Sequence, residues 1–143
     1  MDFEKLMDCH FPVDWSSPEI IDDTRSVYHA PIDGQMCTSH IACTGRHVEA
    51  RYCQPAADWF SVQRGVGSLD IRAQLLTTNN EFIYMHYDGI VTNKPSNTHG
   101  HYIVRAHFES PATSKLAWLN EGFFVGTGLM TSKGVNYTFF RLT

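Results

Sequence analysis

The sequence predicts an all-β protein, a barrel or a sandwich, forming a single domain over residues 1–143, with residues 1–30 as an irregular N-terminal segment. Three observations carry the prediction. Short apolar–polar alternations follow one another closely, as in LDIRAQLL (69–76) and HYIVRAHF (101–108). Clusters of turn-forming residues separate them. No segment keeps a 3.6-residue apolar period over the length of an ordinary helix. Many strands at short spacing build a barrel or a sandwich.

The elements follow in order. Met1–Ser17 holds a short amphipathic piece that Pro12 and Pro18 break. PIDGQ (31–35) is a turn. MCTSHIACTGRHVEARY (36–52) alternates loosely and gives one or two strands with a break at Gly45. CQPAADWFSVQRGVGS (53–68) reads as a long connection, with Pro55, Gly65 and Gly67 inside it. LDIRAQLLTTNNEFIYMHYDG (69–89) is a hairpin. Asn79-Asn80 suits a two-residue primed turn, because Asn tolerates positive φ. That turn would set Gln74 opposite Met85 and Arg72 opposite Tyr87. The segment 87–102 is a loop rich in Asn, Pro and Gly, and 101–110 is a strand. In KLAWLNEGFFVGTGLM (115–130) a helix over Lys115–Phe124 competes with a strand, and the aromatic and glycine content favours the strand. GVNYTFFRL (134–142) is the last strand.

Composition narrows the function. Hydrophobic residues make up 43% and charged residues 18%, the balance of a folded chain with a core. The net charge of −4 argues against a nucleic-acid partner, because phosphate contact needs a basic surface. No apolar run reaches the ~20 residues of a membrane span, and the N-terminus lacks the apolar centre of an export signal. A cytoplasmic protein without membrane or nucleic-acid partners is expected. The 4 cysteines include no C-x-x-C pair, so free thiols are expected. His99-Gly100-His101, followed by His107 and Glu109, resembles a cupin metal set, but the gap from His101 to Glu109 is too long for it. No metal or other cofactor is expected. No nucleophile elbow, P-loop or dinucleotide fingerprint is present.

The hairpin poses the central question. Asp70, Arg72 and Gln74 stand on one strand face, with Leu69, Ile71, Ala73 and Leu75 on the other. Periodicity alone favours a solvated surface for the charged row. In the expected register neither sheet face sorts cleanly, which a polar-lined barrel would explain.

Further motifs bear on the choice. ADW (57–59), LDIRAQL (69–75), FIY (82–84), FES (108–110), AWLN (117–120) and FVGTG (124–128) occur in the order seen in the DUF3237 family, also called UPF0311, which the chain resembles over roughly 33–142. Ala56-Ala57 stands where members often have Gly-Ala. The resemblance implies a small antiparallel barrel. Because some fungal members resemble tailoring proteins of aromatic polyketide pathways, it also implies a cofactor-free cyclase or isomerase. Such an enzyme would close an oxygen ring on a phenolic secondary metabolite, by hydroalkoxylation or an oxa-Michael addition. It favours the pocket for the Asp70–Arg72 row.

Ring closure of that kind needs a base at the phenol, an acid at the carbon that gains a proton, and walls that hold the substrate folded. Asp58, beside Trp59, has the composition of a base whose pKa burial raises. Arg72, oriented by Asp70, would stabilise an oxyanion. Tyr84, Tyr87 or His86 would pass the proton. Trp59 and Trp118 would hold the ring, with Arg105, Glu109 and Asn120 as further substrate contacts. Each residue also has a plainer role: Asp58 as a turn cap, Asp70–Arg72 as a structural ion pair, the tryptophans as core, Glu109 and Asn120 at strand ends. A barrel that carries a small ligand without chemistry is the alternative. The aromatic-bearing strands also suggest a homodimer or higher homo-oligomer.

Overall fold

The computed structural model describes residues 1–30, 42–43, 48–92 and 100–143, with side chains left aside at 42–43 and 54–55. The described strands are β1 (Phe3–Pro12), β2 (Glu19–Ile20), β3 (Arg25–His29), β4 (Ala42–Cys43), β5 (Ala50–Gln63), β6 (Val66–Thr77), β7 (Phe82–Thr92), β8 (His101–Glu109), β9 (Phe123–Thr131) and β10 (Gly134–Leu142). They form one 10-stranded sheet in the order β1-β10-β9-β8-β7-β6-β5-β3-β2, with β4 beside β5. Neighbours pair antiparallel, as consecutive hairpins must. The sheet curls so that its two ends meet: Phe11 of β1 packs edge-on against Tyr52 of β5, ring centroids 5.3 Å apart, and Trp15 against Tyr28 at 5.7 Å. The expected all-β, barrel-like fold is the fold observed.

The hairpin turn differs from expectation, and the difference decides the site. Thr77 N–H donates to Glu81 O at 2.9 Å and Asn80 N–H to Thr77 O at 3.0 Å, with Asn80 left-handed at φ 62°. The loop therefore holds three residues, Thr78, Asn79 and Asn80, the length that ends in a left-handed residue. Every cross-strand pair moves by one. Gln74 lies opposite Tyr84, Arg72 opposite His86 and Ile71 opposite Tyr87. Both faces now sort. Leu69, Ile71, Ala73 and Leu75 join Ile83, Met85 and Tyr87 in the core. Asp70, Arg72, Tyr84, His86 and Asp88 face outward.

Other segments also depart from expectation. The N-terminal segment is not irregular: β1 pairs with β10 from Phe3 to Pro12. Its Leu6, Cys9 and Phe11 are buried. Residues 53–68 are not a long connection. β5 runs through Pro55, the register slipping between Cys53 and Ala56, and meets β6 at Arg64-Gly65. Both turn residues have positive φ, 55° and 77°, a two-residue primed turn whose first residue is an unusual choice. Ala117–Glu121 form a 3₁₀ turn rather than strand, and β9 starts after Gly122. β7 extends to Thr92, into the expected loop. The strands expected at 101–110 and 134–142 are β8 and β10. The turn at 31–35, the break at Gly45, Cys37 and His99 lie outside the described residues. Cys9 and Cys53 are buried and form no disulfide.

Candidate functional site

One end of the barrel holds a cavity of about 280 Å³. That is near the lower end for small-molecule sites. Its walls come from many strands, because inward positions converge there. Phe60 of β5 and Tyr28 of β3 meet edge-to-face at 5.9 Å, and Trp15 continues the row. Trp15 is fixed by its indole N–H, which donates to Thr131 O at 2.8 Å. Phe11, Tyr102 of β8 and Tyr137 of β10 line the remaining wall, with the Tyr102 and Tyr137 rings 5.9 Å apart. Glycine makes room for these rings: a Cβ on Gly128 would lie 2.7 Å from the Tyr137 ring, and one on Gly67 2.7 Å from Phe60. That is a physical role for the second glycine of FVGTG.

Asp58 opens into this apolar space and is 8% exposed. Strand alternation puts it there, with Ile71 opposite on β6 and Tyr28 opposite on β3. Burial lifts its pKa from 3.8 to about 7. The Asp70 amide N–H donates to its Oδ1 at 3.1 Å and opposes the rise, while the Asp70 charge adds to it. Around it stand phenols held above their ordinary range. Burial is the first cause for Tyr102, Tyr137 and Tyr87, and the Asp58 charge contributes to each. An ionisable carboxyl in an aromatic cavity can take a proton from a ligand and return one near neutral pH.

Of the expected site residues, Asp58 alone lines the cavity; Tyr87 is fully buried in the core, packed edge-on against Phe11 and Tyr137 of the wall. The Asp70–Arg72 row is not a pocket wall. The Asp70 carboxylate accepts from His86 Nε2 at 2.7 Å and lies 4.0 Å from Arg72 Nε, the Arg72 side chain being 67% exposed on the outer face. Tyr84, Trp59 and Glu109 also face outward, Tyr84 and Trp59 among the exposed large side chains. Arg105 makes a two-pronged ion pair with Asp88, at 2.8 and 3.2 Å, on that same outer face. The Arg105 guanidinium holds the Asp88 carboxyl below its usual range.

Trp118 lies at the opposite end of the barrel, under the Arg141 guanidinium 5.1 Å from its ring centroid. Asn120 clamps the 3₁₀ turn to the end of β8: Oδ1 accepts from Ser110 N–H at 2.7 Å, and Nδ2 donates to Ser110 O at 3.0 Å. Trp15, Tyr28, Phe60, Tyr102 and Tyr137 were not singled out from sequence. The inward parity of β8, visible in the Tyr102-Val104-Ala106-Phe108 series, was the available signal. Among the described residues no three of His, Cys, Asp and Glu gather at metal-binding distance, and no helix is long and apolar enough to cross a membrane.

Three solved structures share the fold. A protein of unknown function from Clostridium acetobutylicum is 18% identical over 100% of both chains, with a TM-score of 0.83. A beta-barrel like protein from Acinetobacter baumannii is 22% identical over 99% of this chain and 96% of its own, TM-score 0.76. A conserved protein of unknown function from Rhodopseudomonas palustris is 13% identical over 99% and 97%, TM-score 0.78. No curated protein sequence matches the chain. The model of one family, described as a protein of unknown function, DUF3237, matches residues 4–142, and the chain belongs to that family.

Proposed function

We propose that the cavity binds a small aromatic molecule and that Asp58 moves a proton on it, making the protein a cyclase or isomerase that closes an oxygen ring on a phenolic substrate without a cofactor. The observation that carries this reading is the Asp58 carboxyl, set in an aromatic cavity and half-ionised near neutral pH. The chemistry balances within one molecule. Asp58 takes the phenol proton, the phenolate oxygen bonds to the β-carbon of an enone, and the C=C pair moves onto the carbonyl oxygen as an enolate. The proton then returns to the α-carbon. No redox partner or second substrate is consumed. Positioned proton transfer contributes typically ~10²–10⁴-fold, and holding both ends of the substrate together contributes more.

The test is the isomerisation of 2′-hydroxychalcone to flavanone, followed by loss of its enone absorbance. Wild type should exceed the uncatalysed rate, and Asp58→Asn should lose about 10²-fold or more of that gain. A folded Asp58→Asn with undiminished turnover overturns the role of Asp58. The cavity's walls are otherwise apolar and phenolic, which also suits a carrier. Tight binding of phenols with no turnover would decide for that second reading.

A further inference from the structure

The tyrosines of the cavity give the site a second polar element. Tyr102 is 3% exposed and lines the cavity. Among the described residues its hydroxyl has no hydrogen-bond partner. The hydroxyls sealed away without a partner lie deeper, at Tyr87 and Tyr137, whereas Tyr102 stands in the cavity wall, where a ligand can gain a hydrogen bond from it. Tyr137 stands behind it, with its own hydroxyl closed off from solvent. Tyr28 and Asp58 line the same cavity as Tyr102, among mostly apolar side chains. A phenol kept neutral by its surroundings is a standing donor. A carboxyl that ionises near neutral pH is an acceptor. Together they present one donor and one acceptor to a ligand that fills the space between.

We propose that the Tyr102 hydroxyl donates a hydrogen bond to a carbonyl oxygen of the ligand while Asp58 faces the ligand's proton-bearing group, so that the cavity selects aryl ketones over hydrocarbons of the same shape. The inference rests on the proposed function, and it names the residue that would hold the enolate oxygen formed in the ring closure. Tyr102 touches the ligand in this scheme and is a catalytic residue. The donor is in place before reaction, which is the arrangement that favours charge developing on oxygen.

The experiment titrates wild type and Tyr102→Phe with 4-chromanone and with chroman, which lacks only the carbonyl, by ligand-observed NMR. Wild type should bind the ketone about 5- to 20-fold more tightly, the scale of one hydrogen bond to an otherwise unpaired group. Tyr102→Phe should bind both alike, with chroman affinity unchanged. A preference that survives in Tyr102→Phe, or is missing from wild type, overturns the role of Tyr102 and leaves the cavity reading standing. Failure of wild type to bind either probe at millimolar concentration overturns the cavity reading as well. Should Tyr102→Phe fail to fold, the infrared carbonyl stretch of 4-chromanone bound to wild type decides. A shift to lower frequency than in apolar solvent supports the hydrogen bond, and an unshifted stretch refutes it.

Discussion

Replacing Asp58 by Asn should stabilise the protein, and by an amount that depends on pH. The folded state holds the Asp58 proton more tightly than the unfolded chain, since burial raises the pKa from 3.8 to about 7. Protonation therefore favours folding. That contribution is fully present below the unfolded value and is lost as pH rises through the folded one. A shift of this size corresponds to about 4 kcal/mol across the whole window, of which about 3 kcal/mol falls between pH 5 and pH 9. Asp58 is 8% exposed, so solvent screening removes little of it. Asparagine is neutral throughout and keeps an oxygen for the Asp70 amide N–H. Urea denaturation of both proteins at half-unit pH steps gives the difference directly. The variant should gain on wild type by about 3 kcal/mol from pH 5 to pH 9, or roughly 10 °C in Tm. A difference that stays flat over that range refutes a buried, titrating Asp58, and with it the base near neutrality.

The remaining predictions separate the cavity from the outer face. Asp70→Asn and Arg72→Ala should leave phenol binding unchanged and alter stability by less than about 1 kcal/mol, as exposed ion pairs do; a lost binding signal in calorimetry would return the row to the site. Gly128→Val should push the Tyr137 ring out of place, cost about 1–3 kcal/mol in denaturation, and abolish binding; unaltered affinity would mean that the ring does not bound the ligand. Asn120→Ala should lose about 1–2 kcal/mol by freeing the Ser110 backbone groups, without change in affinity. The kcat/KM for 2′-hydroxychalcone should rise with pH through about 7, since the base is the ionised form, and the rise should vanish in Asp58→Asn.

Much of the barrel was legible because alternation is a strong local signal. β8 and β10 occupy the stretches where polar and apolar residues exchange most regularly. β1 was hidden because its buried positions do not alternate cleanly: Leu6 and Met7 are both buried, beside a register shift between Lys5 and Met7. β5 was hidden by Pro55, which ordinarily argues against a strand and here coincides with a register slip. The 3₁₀ turn at Ala117–Glu121 was hidden for a different reason. It is held by Asn120 reaching back to Ser110, a contact between positions that no local pattern links.

The site was less legible than the fold because one turn residue outweighs a whole strand of side chains. A two-residue turn at Asn79-Asn80 leaves both faces of the hairpin mixed, and mixed faces invite a polar-lined interior. With Thr78 in the loop, the same residues sort into a dry face and a charged one. The charged row then needs no pocket. His86 and Asp70 satisfy each other, as do Arg105 and Asp88. What remains inside is one carboxyl among aromatic rings, and its isolation is what raises its pKa. An Arg72 guanidinium in the cavity would have kept Asp58 ionised and removed its use as a base near neutrality. Outward placement of the charged row is therefore a condition for the proposed chemistry at Asp58, and the register of one hairpin sets both.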